Sequence, residues 1–144
     1  MKKPISPSTH GVLDYATVVA TAAAPTIFKF PEQAARLCYG LAGSYLGLSM
    51  LTDYPLSVKR AVPFKAHGAT EAVLGAALPA LPKALGFSDH RAARNFLFGL
   101  TALTFVVASL TDWKTTALGS RLSALGSRLT AGRVGRVGGC GSTA

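Results

Sequence analysis

Four stretches of the chain are apolar or small on every side: Val12 to Phe28, Ala34 to Leu51, His67 to Leu81 and Asn95 to Leu110. A helix on the surface of a soluble protein carries a polar stripe opposite its buried face. The runs TVVATAAAPTIF, ending at Phe28, and FGLTALTFVVASL, ending at Leu110, carry no such stripe. The pattern predicts four transmembrane helices, each near the lower end of the about 17 to 25 residues that cross a bilayer. Turn-forming residues separate them: Phe30-Pro31 between the first pair, Pro55 and Pro63 in the middle, and Gly86-Phe87-Ser88-Asp89 between the second pair. Connections this short make successive helices antiparallel neighbours, so the expected fold is an all-α, integral membrane four-helix bundle. In the second stretch Gly40 and Ser44, and Gly43 and Gly47, have the four-residue spacing that lets membrane helices approach closely.

The polar residues inside this pattern recur. A shift of 57 places His10-Gly11 on His67-Gly68, Asp14 on Glu71, Pro25 on Pro82, Phe30 on Phe87 and Glu32 on Asp89. A shift of 59 places Gly40-Leu41 on Gly99-Leu100 and Leu51-Thr52-Asp53-Tyr54 on Leu110-Thr111-Asp112-Trp113. All six acidic residues fall into three such pairs, which chance alignment of apolar runs would not produce. The expected organisation is a membrane domain over residues 1–114, with one helical hairpin over 5–54 and its parallel repeat over 62–113, followed by a tail over 115–144.

Charge adds an orientation. Only 15% of residues are charged, where soluble domains use about a quarter. The net charge of +9 has neither a basic face nor interleaved aromatics, so nucleic acid is not an expected partner. Ten cations, Lys2, Lys3, Lys59, Arg60, Lys65, Lys114, Arg121, Arg128, Arg133 and Arg136, lie in the N-terminus, central loop and tail, and five in the hairpin loops. The positive-inside rule then puts both termini in the cytoplasm, in a multi-pass protein of the bacterial inner membrane. Lys2 and Lys3 precede an apolar run that contains Asp14 and has no convincing cleavage site, so this run is expected to stay as a helix. The tail repeats ALGSRLS as ALGSRLT, which as a helix would hold Arg121 and Arg128 against an anionic leaflet, with disorder expected beyond Ala131. Cys38 and Cys140 form no framework or metal motif.

The orientation gathers the rare ionisable groups at one face. His10 and Asp14, and His67 and Glu71, are spaced to share one side of a helix. Asp53 and Asp112 close the second and fourth helices, beside Tyr54 and Trp113, which are expected to anchor at the interface. Three roles are open for this cluster of His10, Asp14, Asp53, His67, Glu71 and Asp112. It can be structural, pairing histidine with carboxylate and ending the helices at Thr52 and Thr111. It can hold a metal or haem, or form part of a proton or ion path. No nucleophile–base pair, phosphate loop or cysteine cluster suggests an enzyme, and no cofactor is assigned.

The doubled two-helix plan, with a short polar motif recurring at equivalent positions, resembles the small bacterial membrane proteins of the SPW-repeat type over residues 5–114, although the Ser-Pro-Trp tripeptide itself is absent. That resemblance implies an integral membrane protein and carries over no activity or functional residue. The expected role is a non-enzymatic accessory or assembly subunit. Its expected partners are the lipid bilayer and either a second copy or an operon-encoded membrane protein.

Overall fold

The computed structural model describes residues 3–113, which form an all-α bundle of four helical rods without strands. Helix α1 (Pro7–Ile27) starts five residues before the apolar run, because Ser6 caps it. The Ser6 hydroxyl accepts from the Thr9 N–H at 3.2 Å, and Pro7 occupies a first-turn position whose missing N–H costs nothing. Helix α2 (Glu32–Leu51) begins directly after Pro31. The third rod is helix α3 (Phe64–Ala77), a 3-10 turn at Leu78–Ala80 and helix α4 (Leu81–Ala84). Pro79 and Pro82 supply no N–H to the ladder here, yet the backbone stays helical at Leu78 and Leu81, so the rod changes pitch without ending. Helix α5 (Arg91–Leu110) is capped by the His90 ring, which accepts from the Ala93 N–H.

Both hairpin turns end their helix in the same way. In the first, Phe30 N–H donates to Pro25 O at 3.0 Å across Lys29, whose φ is 51°. In the second, Phe87 N–H donates to Pro82 O at 2.9 Å across Gly86, whose φ is 73°. This left-handed cap costs a Cβ-bearing residue about 1 to 2 kcal/mol, so Lys29 is strained where Gly86 is not. Gly86→Lys is therefore expected to lower stability by about 1 kcal/mol and Lys29→Gly to raise it by less than that, as read by denaturation in detergent.

Ala34 of α2, Leu78 of the third rod, Phe87 of the second turn, and Ala93 and Leu97 of α5 form an apolar core near these turns. The opposite end is tied by backbone bonds that also come in two matching sets. Ile5 N–H donates to Leu110 O at 3.1 Å and Asp112 N–H to Ile5 O at 2.9 Å. Val62 N–H donates to Leu51 O and Asp53 N–H to Val62 O, both at 2.8 Å. The entrance of α1 is thereby fixed to the exit of α5, and the entrance of α3 to the exit of α2.

Among the described residues only α5 is long and apolar enough to cross a membrane by length and composition. The expectation of four helices holds, but uniform hydropathy does not. Helix α1 turns His10, Asp14 and Thr21 inward, so averaging along it counts polar groups that never meet the outside, while α3, which turns His67 and Glu71 inward, is too short at 14 residues. The tail, with Arg121, Arg128, its expected amphipathic helix and Cys140, lies outside the described residues.

Candidate metal centre

One turn of α1 separates His10 from Asp14 and one turn of α3 separates His67 from Glu71, and the two pairs face each other inside the bundle. Their exposures are 0%, 2%, 0% and 6%. The four side chains alternate around a ring. His10 Nε2 lies 3.4 Å from Asp14 Oδ1 and 3.2 Å from Glu71 Oε2. His67 Nε2 lies 3.4 Å from Asp14 Oδ2 and 3.5 Å from Glu71 Oε1. Each carboxylate thus spans both imidazoles with different oxygens.

The far nitrogen of each ring is held by a threonine at the end of another rod. Thr52 Oγ1 donates to Leu48 O at 2.6 Å, and Thr111 Oγ1 donates to Val107 O at 2.7 Å. With their protons committed, these oxygens can only accept at the rings, from His67 Nδ1 at 2.7 Å and from His10 Nδ1 at 2.9 Å. A neutral imidazole so placed carries its proton on Nδ1 and turns the Nε2 lone pair to the centre. Both Nε2 atoms and Asp14 Oδ2 are buried without a hydrogen bond. Each Nε2 still lies within ion-pair distance of two carboxylate oxygens, so the ring closes on itself when the imidazoles are protonated and offers a donor set to a cation when they are neutral.

A divalent ion is one group that would satisfy these atoms. The four nitrogen–oxygen separations of 3.2 to 3.5 Å run to four different carboxylate oxygens, so an ion taking one oxygen from each carboxylate at metal–ligand bonds of about 2.0 to 2.2 Å would draw the four side chains together. One donor atom from each of the four residues lies within 4.8 Å of the others. Two neutral imidazoles and two carboxylates carry a charge of about −2, which one divalent cation cancels in a place where uncompensated charge is costly. Tyr45, from α2, donates its phenol proton toward both carboxylates, Asp14 Oδ1 at 3.0 Å and Glu71 Oε1. Haem does not fit: the imidazole centroids are 5.5 Å apart, and the two cavities bordering the carboxylates are about 60 and 20 Å³.

Aromatic rings close the outer side. Phe64 lies 5.3 Å from the His10 ring and Trp113 5.1 Å, while Tyr54 lies 6.2 Å from His67. Tyr54 sits against Gly11 and is fully buried, and Trp113 sits against Gly68 and is half-buried. They cover the cluster, so the expected anchoring of Tyr54 at an interface is not what its burial shows. That burial also pushes the Tyr54 phenol pKa up.

Of the six candidate polar residues, the structure brings together His10, Asp14, His67 and Glu71. Asp53 faces Arg60 instead, at 3.5 Å, and the Asp112 backbone belongs to the tie with Ile5. Sequence reasoning did not find Tyr45, Phe64 or the roles of Thr52 and Thr111 on the histidines. The threonines had a usable signal in their equivalent places before Asp53 and Asp112; Tyr45 had none, since its counterpart under the same shift is Thr104. No family model matches the chain, and comparison with curated proteins and with solved structures found no match.

The threonine contacts carry a prediction. Groups that orient a metal-bound histidine typically contribute 10- to 100-fold in affinity. Thr52→Val and Thr111→Val are each expected to weaken metal binding by about tenfold or more while leaving one site per chain, as measured by competition with a chromophoric chelator.

Proposed function

We propose that this is a metal-binding membrane protein in which four helices enclose one first-row divalent cation between His10, Asp14, His67 and Glu71. The observation that carries this is the convergence of two fully buried Nε2 atoms, neither with a hydrogen bond, on two buried carboxylates. Imidazole together with carboxylate suits manganese, iron or zinc better than calcium or a thiophilic ion.

The membrane part of the proposal rests on an inverted distribution of polarity. His10, Asp14, Thr21, Ser49, Thr52, His67, Glu71 and Thr111 are buried, while Val19, Ile27, Val73 and Val106 are more than half exposed. The apolar window of α5, with mean hydropathy 1.5, is only 11% buried, whereas an apolar core helix of a soluble protein is largely covered. Helices of 20 and 21 residues rise about 30 Å, the thickness of a hydrocarbon core. The matching caps, ties and threonine–histidine contacts support two parallel hairpin repeats, and the cation count favours a cytoplasmic location for the metal end.

The test is elemental analysis of detergent-purified protein after loading with manganese, iron or zinc and removal of excess ion. One ion per chain is expected, falling to none in His10→Ala with His67→Ala. A chain that retains no ion and shows no saturable affinity for any of the three overturns the proposal and leaves the four groups as a structural ion-pair ring.

A further inference from the structure

A cavity of about 60 Å³ adjoins the cluster and is bordered by all four rods, among them Thr17 and Thr21 of α1, Tyr45 of α2, Glu71 and Gly75 of α3, and Thr104 of α5. A smaller space of about 20 Å³ continues it past Asp14, again beside Tyr45, Glu71 and Thr104. Both carboxylates therefore border open volume. The histidines face the aromatic cover on their outer side and line neither space, so an ion would meet this volume on the side of its two carboxylates.

The space has an origin in the sequence. Position 104 follows Tyr45 by 59 residues, the shift that also relates Thr52 to Thr111. The Tyr45 ring reaches both carboxylates with its phenol. The equivalent residue, Thr104, is several atoms shorter and lines the same two spaces, so volume remains beside it. A single water needs about 10 to 15 Å³ of such space, so the cavity has room for a very small molecule and the water around it.

Charge selects the kind of molecule. Two carboxylates already neutralise a divalent ion, and an added anion would leave a net charge beside the apolar Leu41, Leu74 and Leu100. A neutral molecule bears no such cost, and Thr17 and Thr21 offer it hydroxyl groups.

The geometry points to a ligand chamber on the metal: the cavity beside Thr104 takes a neutral molecule of the size of water or a diatomic gas, which donates a lone pair directly to the ion. This rests on the metal-binding reading proposed above. The chamber gives the ion an exchangeable position that a closed, purely structural site would lack.

The experiment is anaerobic loading with ferrous iron and titration with nitric oxide, a neutral diatomic whose iron adduct has a distinctive electron paramagnetic resonance signal. The adduct forms by donation from nitrogen to iron, with no bond broken. Wild-type protein is expected to hold one iron per chain and to give the nitrosyl signal stoichiometrically. Thr104→Tyr, which places a second ring where the first sequence half has Tyr45, is expected to keep its iron and to need at least tenfold more nitric oxide. Thr104→Leu fills less space and is expected to show a smaller shift in the same direction; it decides the matter if Thr104→Tyr does not fold. Iron-loaded wild type without a nitrosyl signal overturns the chamber, and so does an unchanged titration in the filled variants. Wild type that takes no iron but holds manganese or zinc overturns the chamber alone, whereas wild type that takes none of the three overturns the metal reading itself.

Discussion

His67→Ala is expected to lower stability by about 3 to 5 kcal/mol and to abolish stoichiometric metal binding, the largest effect of any single substitution at the centre. The imidazole stands between Asp14 and Glu71 with no exposure to solvent, so its removal leaves two carboxylates facing each other and Thr52 without its ring partner. Removing one member of a buried polar cluster costs far more than the cluster contributes, because the carboxylates left behind have no water to turn to. Replacing His10, Asp14, His67 and Glu71 together by leucine removes every charge at once. That variant is expected to regain most of the stability lost in His67→Ala while binding no metal.

The two variants separate a metal site from a ring that only supports the bundle. A ligand that binds the folded state alone stabilises it by about 2.7 kcal/mol at a hundred times its Kd. Thermal denaturation of wild type should therefore shift upward with added ion, and that of the all-leucine variant should not. An equal shift in both would locate the ion elsewhere, with the exposed Glu32 and Asp89 as the first places to look.

Much of this arrangement was legible in the sequence, for reasons particular to the residues involved. The number of helices followed from apolar runs broken at Pro31, Pro55, Pro63 and Gly86, which are backbone constraints readable locally. His10, Asp14, His67 and Glu71 stood out because ionisable residues are rare in such runs and helical spacing puts each pair on one face. Their meeting across the bundle came from the parallel placement of α1 and α3, which the count of Lys and Arg had suggested. The helix starts were misjudged by up to five residues because Pro7, Ser8, Thr9 and His10 are polar and yet helical, their polarity serving the cap and the interior. Asp53 and Asp112 looked equivalent to the other acids in rarity and location, but they lie beyond the helix ends, where Asp53 has Arg60 beside it. Tyr45 was not legible at all: tyrosine in an apolar helix reads as packing, and only the fold shows its phenol between two carboxylates.

The invariance of the His-Gly pair across both sequence halves has its own physical cause, and it yields the second large effect. A Cβ on Gly68 would lie 2.5 Å from two carbons of the Trp113 ring, and one on Gly11 would lie 2.7 Å from Tyr54 Cε2. These contacts are too short for any real Cβ, and neither ring can retreat freely: the Trp113 centroid is 4.7 Å from Phe64 and 5.1 Å from His10. Gly68→Ala is thus expected to cost about 1 to 3 kcal/mol by overpacking. Gly40→Ala is the control: nothing lies within 4 Å of its added methyl, and it should be neutral or stabilising by up to about 1 kcal/mol. In a Trp113→Leu background the penalty of Gly68→Ala should shrink, a coupling that a double-mutant cycle in detergent denaturation would measure. Because Trp113 also packs on His10, displacing it should tilt the ring away from Thr111 and weaken metal binding. Gly86→Lys, with a comparable loss of stability at the far end of the bundle, should leave metal affinity unchanged. Equal affinities in Gly68→Ala and Gly86→Lys would show that the aromatic cover merely fills space; a selective loss in Gly68→Ala would show that glycine is required beside each histidine so that a ring can hold a ligand in place.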